Sequence, residues 1–168
     1  KDPRVLREKM RLHYFYRIPY AQAIEHPSEI VSFAAQHGRS IGGTRVIGPD
    51  ELATMDPEIR RRAHIEIKPT VLARPTNKTS LDSAMAKEYA MPLTDSDGHV
   101  EAVVFGGRII NQDYEFVDHI RQLVFGGDEY RGLPVGTVTI FLDDVRISTN
   151  VLDENGRTVK DLKFVMGS

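Results

Sequence analysis

The chain has 168 residues, enough for one domain, or one slightly elaborated domain, with a real core. Its 22 basic and 24 acidic residues leave a formal charge of −2, which argues against the concentrated basic surface of a nucleic-acid binder. Cysteine is absent, and that excludes a disulfide framework, thiolate metal sites, a cysteine nucleophile and covalent c-type haem.

Residues 1–40 read as a helical N-terminal part, and residues 41–165 as the part that contains the sheet. Asp2-Pro3 suits a cap and first helical position, and Val5, Leu6, Met10 and then His13 or Tyr14 follow at helical spacing. Pro19 marks a break. A second short helix covers Pro27 to His37, with Gly38 beyond its end. Thr44 to Ile47 reads as a short strand, and Pro49 to Met55 as a loop or single helical turn. Arg60-Arg61-Arg62 reads as a solvated helix face. Ile65 and Ile67 alternate with polar neighbours, the pattern of a half-buried strand. Residues 69–82, with Pro69 and Pro75, are the most loop-like stretch. Met85 to Leu93 and Val100 to Ile110 then read as an antiparallel hairpin joined through Asp97-Gly98.

The strongest patterning lies between Val100 and Val151. Gly106-Gly107 lets the chain bend or another backbone approach closely. Asn111 is placed to cap the helix that follows. Phe116, Val117, Ile120, Leu123 and Val124 form its apolar face, and Gly126-Gly127 ends it. A hairpin follows, turning at Asp143-Asp144. In its return strand Val145, Ile147, Thr149 and Val151 share one face, with Arg146, Ser148 and Asn150 on the other.

No catalytic constellation emerges: the chain has no GxSxG, P-loop, GxGxxG or HExxH. The six histidines are dispersed, and no pair has the i, i+4 spacing of two metal ligands on one helix face. Asp118-His119 are neighbours that diverge on a helix and read as surface residues. Neither an enzyme nor a metal site is expected.

Taken in order, GGRIINQDYEFVDHIRQLVF, GTVTIFLDDVRISTNV and the Asp153-to-Gly156 turn resemble the Cache family of PAS-like bacterial sensor domains. GGTRVIGPDELA from Gly42 and IEIKPTVLARPT from Ile65 also fit, so the resemblance spans roughly residues 40–158. It implies an α+β fold, with an antiparallel sheet flanked by helices and a long N-terminal helix, in one domain over residues 1–168. The first strand usual for the family is not legible in residues 1–40. The resemblance further implies an extracytoplasmic, periplasmic sensing domain of a chemotaxis transducer or sensor histidine kinase in the inner membrane. Such a domain binds a small molecule, works as a homodimer and meets the membrane only through transmembrane helices absent from this chain. No stretch of about 18 apolar residues is present here, and none reads as a signal peptide. No cofactor is expected; a small carboxylate such as acetate is the implied ligand class. Arginine suits it, because the planar fork holds a carboxylate with two hydrogen bonds. The candidate ligand-binding residues are Arg108, Tyr89, Arg74, Tyr114, Tyr16 and Arg17. The alternative is a PAS-type dimerisation module that binds no ligand.

Overall fold

The computed structural model describes residues 11–67 and 77–151. The strands are β1 (Tyr14–Pro19), β2 (Ile41–Ile47), β3 (Ile65–Glu66), β4 (Ser80–Leu81), β5 (Ala84–Thr94), β6 (Val100–Ile109), β7 (Glu129–Tyr130), β8 (Leu133–Pro134), β9 (Thr139–Leu142) and β10 (Val145–Thr149). The helices are α1 (Tyr20–Ala23), α2 (Glu29–His37), α3 (Pro49–Thr54), α4 (Pro57–Ala63) and α5 (Tyr114–Phe125). This is an α+β fold with an antiparallel sheet and flanking helices, as expected for a PAS-like Cache domain. The chain forms two compact units, Lys1–Ile47 with Met85–Ile109, and Gly48–Ala84 with Ile110–Ser168.

The first unit holds a four-stranded sheet in the order β1-β6-β5-β2. The β5–β6 hairpin forms as the Asp97-Gly98 signal implies, with Gly98 at φ 87°. Residues 1–10 of the expected N-terminal helix lie outside the described residues, but its projected end does not continue as helix. Tyr14 instead opens β1, which pairs antiparallel with β6. The strand missing from the sequence pattern is therefore YFYRIP. Its aromatics occur on both faces, which hides the apolar–polar alternation that marks a half-buried strand. Pro19 ends β1 on the outer edge of the sheet, where no further strand needs its missing N–H. Helix α2 starts at Ser28, whose hydroxyl accepts from the Val31 amide, and ends at Gly38 in the left-handed conformation. It buries Ile30, Val31, Ala34 and Ala35.

In the second unit the segment Pro49–Thr54 is helical, with Gly48 at its N-cap and Pro49 in the first turn, where its missing N–H is not needed. Asp56 caps α4, its carboxylate accepting from Glu58 N at 2.8 Å. Ile65 and Ile67 are buried and Glu66 exposed, as the alternation predicts. Three sequence readings are corrected here. Asp113, not Asn111, caps α5, its Oδ1 accepting from Phe116 N. The apolar face of α5 is not core: Val117 is buried, but Leu123 is 72% and Val124 65% exposed. The return strand β10 does not alternate, because its register against β9 shifts between Arg146 and Ser148. That bulge leaves Ile147, Ser148, Thr149 and Asn150 all buried. Ser148 Oγ donates to Asp113 O at 2.9 Å, and Asn150 Oδ1 accepts from Val138 N at 2.7 Å.

Candidate functional site

The site with the shape of a ligand seat lies within the first unit, and the glycine pair explains it. In an antiparallel sheet, residues opposite each other share a face. Gly107 pairs with both Tyr14 and Glu88, while Gly106 pairs with both Phe15 and Tyr89. Adjacent glycines on the central strand therefore clear space on opposite faces of the sheet.

On the Gly107 side the sheet is buried. The Tyr14 ring lies across Gly107, where a Cβ would collide with its phenol, and its hydroxyl donates to Glu88 Oε2 at 2.7 Å. Glu88 is fully buried, and its Oε1 accepts the Ser28 hydroxyl and lies 3.1 Å from Arg45 Nε. One carboxylate thus joins β1, the N-terminus of α2, β2 and β5. A buried charge persists only when paired and hydrogen-bonded, and these partners meet that condition. His26 closes the same region: its ring meets Phe105 edge-on at 4.9 Å, and its Nδ1 accepts from Ser28 N.

On the Gly106 side the sheet is open. A concavity of about 510 Å³ lies there, within the range of small-molecule sites. Phe15 and Tyr89 flank Gly106, Met91 and Val104 continue the wall, and Leu12 and Ile41 close it. Tyr89 is 47% exposed, and its ring rests on Gly42, where a Cβ would strike it. The ring leans towards β2 because Gly42 leaves it room, which opens the floor at Gly106. Ser40 and the Tyr89 hydroxyl supply polar groups at the edge. Among the described residues lining the concavity, none is charged.

The sequence candidates separate accordingly. Tyr89 is a wall of the concavity. Arg108 and Arg17 do not line it but share its face, since Arg108 pairs with Lys87 and Arg17 with Val104. Tyr16 lies on the opposite face, 5.4 Å from Phe105 and 6.0 Å from Tyr14, ring to ring. Tyr114 opens α5 in the second unit. Arg74 lies outside the described residues. Sequence reasoning missed Glu88, Phe15 and Gly42. The Glu88 signal was readable: a single acid in KEYAM, one residue from a tyrosine, in a strand whose inward positions are otherwise apolar.

In the second unit Asn111 is a staple. Its buried amide donates to Ala63 O at 2.8 Å and Ser83 O at 2.9 Å. Gln112, at φ 57°, donates from its side chain to Arg62 O and His64 O. Asp82 accepts from Ser80 Oγ and contacts His64 Nδ1, each at 2.6 Å. The Ser80 hydroxyl first, and His64 second, hold the Asp82 carboxyl below its usual range. Because both oxygens are engaged and the serine bonds the acid rather than the imidazole, this is no nucleophilic relay. In the β5–β6 turn Asp95, Asp97 and His99 cluster, and Asp95 accepts from the Asp97 and His99 amides as turn residues do.

Residues 108–163 match the family model described as Single cache domain 3. The match supports a Cache sensor domain. Among the described residues it takes in the end of β6, α5 and the β7–β8 and β9–β10 hairpins. No curated protein and no solved structure matches the chain significantly. Cache domains are extracytoplasmic sensor modules of receptors and are typically non-catalytic. No helix among the described residues is long and apolar enough to cross a membrane.

Proposed function

We propose that this chain is the extracytoplasmic small-molecule sensing domain of a bacterial transmembrane signalling receptor, a chemotaxis transducer or a sensor histidine kinase of the inner membrane. The observation that carries the reading is the Cache match over residues 108–163. The ligand-sized concavity over Gly106 supports it. Ligand binding favours one arrangement of the seat and shifts the population of conformers, which biases a homodimer. The test is a thermal-shift screen against small carboxylates, amino acids and purines, since a ligand specific to the folded state raises Tm. A saturable rise with one class supports the sensor reading. Its loss in Arg108→Ala assigns the seat to the Gly106 face, and its survival moves the seat elsewhere. No rise with any class favours the second reading, a dimerisation module without a ligand. Exposed Leu123, Val124, Tyr130 and Leu133 favour that second reading, being apolar surface of the kind that meets a partner.

A further inference from the structure

The pairing register lines up one row across the sheet on the Gly106 face. Phe15 of β1, Gly106 of β6 and Tyr89 of β5 stand side by side, so a glycine separates two aromatic residues. Strands lie about 4.8 Å apart, which puts the Cα atoms of Phe15 and Tyr89 about 10 Å from each other across the glycine. Each aromatic is seated by a missing Cβ. Phe15 comes down on Gly106, where an added Cβ would stand 3.2 Å from its ring, and Tyr89 leans the other way, onto Gly42. A slot stays open between the two rings. Met91 and Val104, paired in the next row on this face, extend it along the strands. Aromatic centroids prefer separations of roughly 4.5–7 Å, so a gap of this width takes one flat ring in contact with both walls. The chemistry of the wall decides the charge. Among the described residues lining the concavity of about 510 Å³ none is charged, and the polar side-chain groups are the Ser40 and Tyr89 hydroxyls at its edge. An ion drawn against such a wall gives up water for no countercharge, whereas a single hydroxyl or carbonyl finds a hydroxyl to bond.

We infer that the Gly106 trough binds a small uncharged molecule with a flat aromatic body, its ring between Phe15 and Tyr89 and at most one hydroxyl or carbonyl at the Ser40 edge. The inference rests on the sensor reading above and narrows it to a ligand class outside the carboxylates. Burial of apolar area supplies the affinity, and the two rings supply the orientation. Gly42 keeps the slot open, because it leaves the Tyr89 ring room to lean away from Gly106.

The test is calorimetric titration of the full chain with 2-naphthol, 2-naphthoate and acetate, alongside analytical ultracentrifugation. The two naphthalenes share a ring system and differ in the charge of the head. 2-Naphthol is expected to bind saturably at one site, at least tenfold tighter than 2-naphthoate, with no detectable acetate binding. In Gly42→Ala the new Cβ would stand 2.3 Å from the Tyr89 ring, which is 47% exposed and yields by swinging over Gly106. That variant should weaken 2-naphthol at least tenfold. Should Gly42→Ala fail to fold, Val104→Glu puts a charge into the wall at a half-buried position and should cause the same loss. 2-Naphthoate binding as tightly as 2-naphthol overturns the uncharged ligand, and full affinity for 2-naphthol in the folded variants overturns the seat; either leaves the sensor reading standing. Failure of 2-naphthol alongside a hit from another class in the thermal screen also overturns only this inference. Failure of the probes and of the whole screen overturns both. A dimer that Val104→Glu converts to monomer assigns the face to a second copy and overturns the inference.

Discussion

Replacing Arg45 by Met tests whether the Glu88 carboxylate is held as a charge in the interior. Glu88 is fully buried and the Arg45 side chain is 14% exposed, so solvent offers the pair little screening. Their contact is 3.1 Å, and Tyr14 and Ser28 add hydroxyl donors to the same carboxylate. Removing one partner of a buried pair costs about 3–5 kcal/mol, because the other charge stays behind without compensation. The two hydroxyls remain in Arg45→Met, which places the expected cost near the lower end, about 3 kcal/mol. Met keeps much of the stem packing, so loss of charge dominates over loss of volume. Glu88→Gln removes the opposite charge and should cost roughly 2–3 kcal/mol. The double variant should cost less than the sum of the singles by about 2 kcal/mol, since both members of the pair are then removed together. Native-state hydrogen exchange at the β5 and β6 amides reports the first unit directly. A cost below about 1 kcal/mol for Arg45→Met, or strict additivity in the double variant, refutes the charged-pair reasoning.

Asn111→Leu should destabilise the second unit by about 2–4 kcal/mol in urea, because the Ala63 and Ser83 carbonyls lose a buried donor. Asp113→Ala removes the α5 cap and should cost about 1 kcal/mol; equal losses would contradict the distinction between staple and cap. Gly106→Val should cost at least roughly 2 kcal/mol by the same urea measurement, since even its Cβ would stand 2.7 Å from the Tyr14 carbonyl oxygen, which belongs to a paired strand and cannot yield; retained stability would show that the β1–β6 seam is placed wrongly. The pH test concerns Asp82, whose folded carboxyl lies below its ordinary value of about 3.8. The stabilisation it contributes is fully present above that value and is lost as pH falls through the lower folded one. Asp82 is exposed, so the effect is small, and Asp82→Asn should flatten only the acid limb of Tm against pH below about 4, with the neutral plateau nearly unchanged. A variant whose acid limb matches the parent would remove Asp82 from the account.

Much of the secondary structure was legible because local chemistry dictates it. The β5–β6 hairpin follows from Asp97-Gly98, the ends of α2 from Ser28 and Gly38, and the end of α5 from Gly126. These signals act within a few residues, through φ preferences and free amides. The glycine pair also announced a close approach, though not of what. That it would seat Tyr14 over Gly107 on one face and open a trough over Gly106 on the other depends on strands from residues 14–19 and 84–94 flanking β6. Strand β1 itself was missed because a run with aromatics on both faces carries no period. The choice of Asp113 over Asn111 as the cap was undecidable locally, since both side chains can cap; the carbonyls of Ala63 and Ser83, 48 and 28 residues away, claim Asn111. Arg17, Tyr89 and Arg108 were named as separate polar candidates, and the pairing register puts them on one face while assigning Tyr16 to the other. Residue chemistry and turn propensity are properties of short segments; which face a side chain occupies, and what stands opposite it, are properties of strand pairing between segments far apart in the chain.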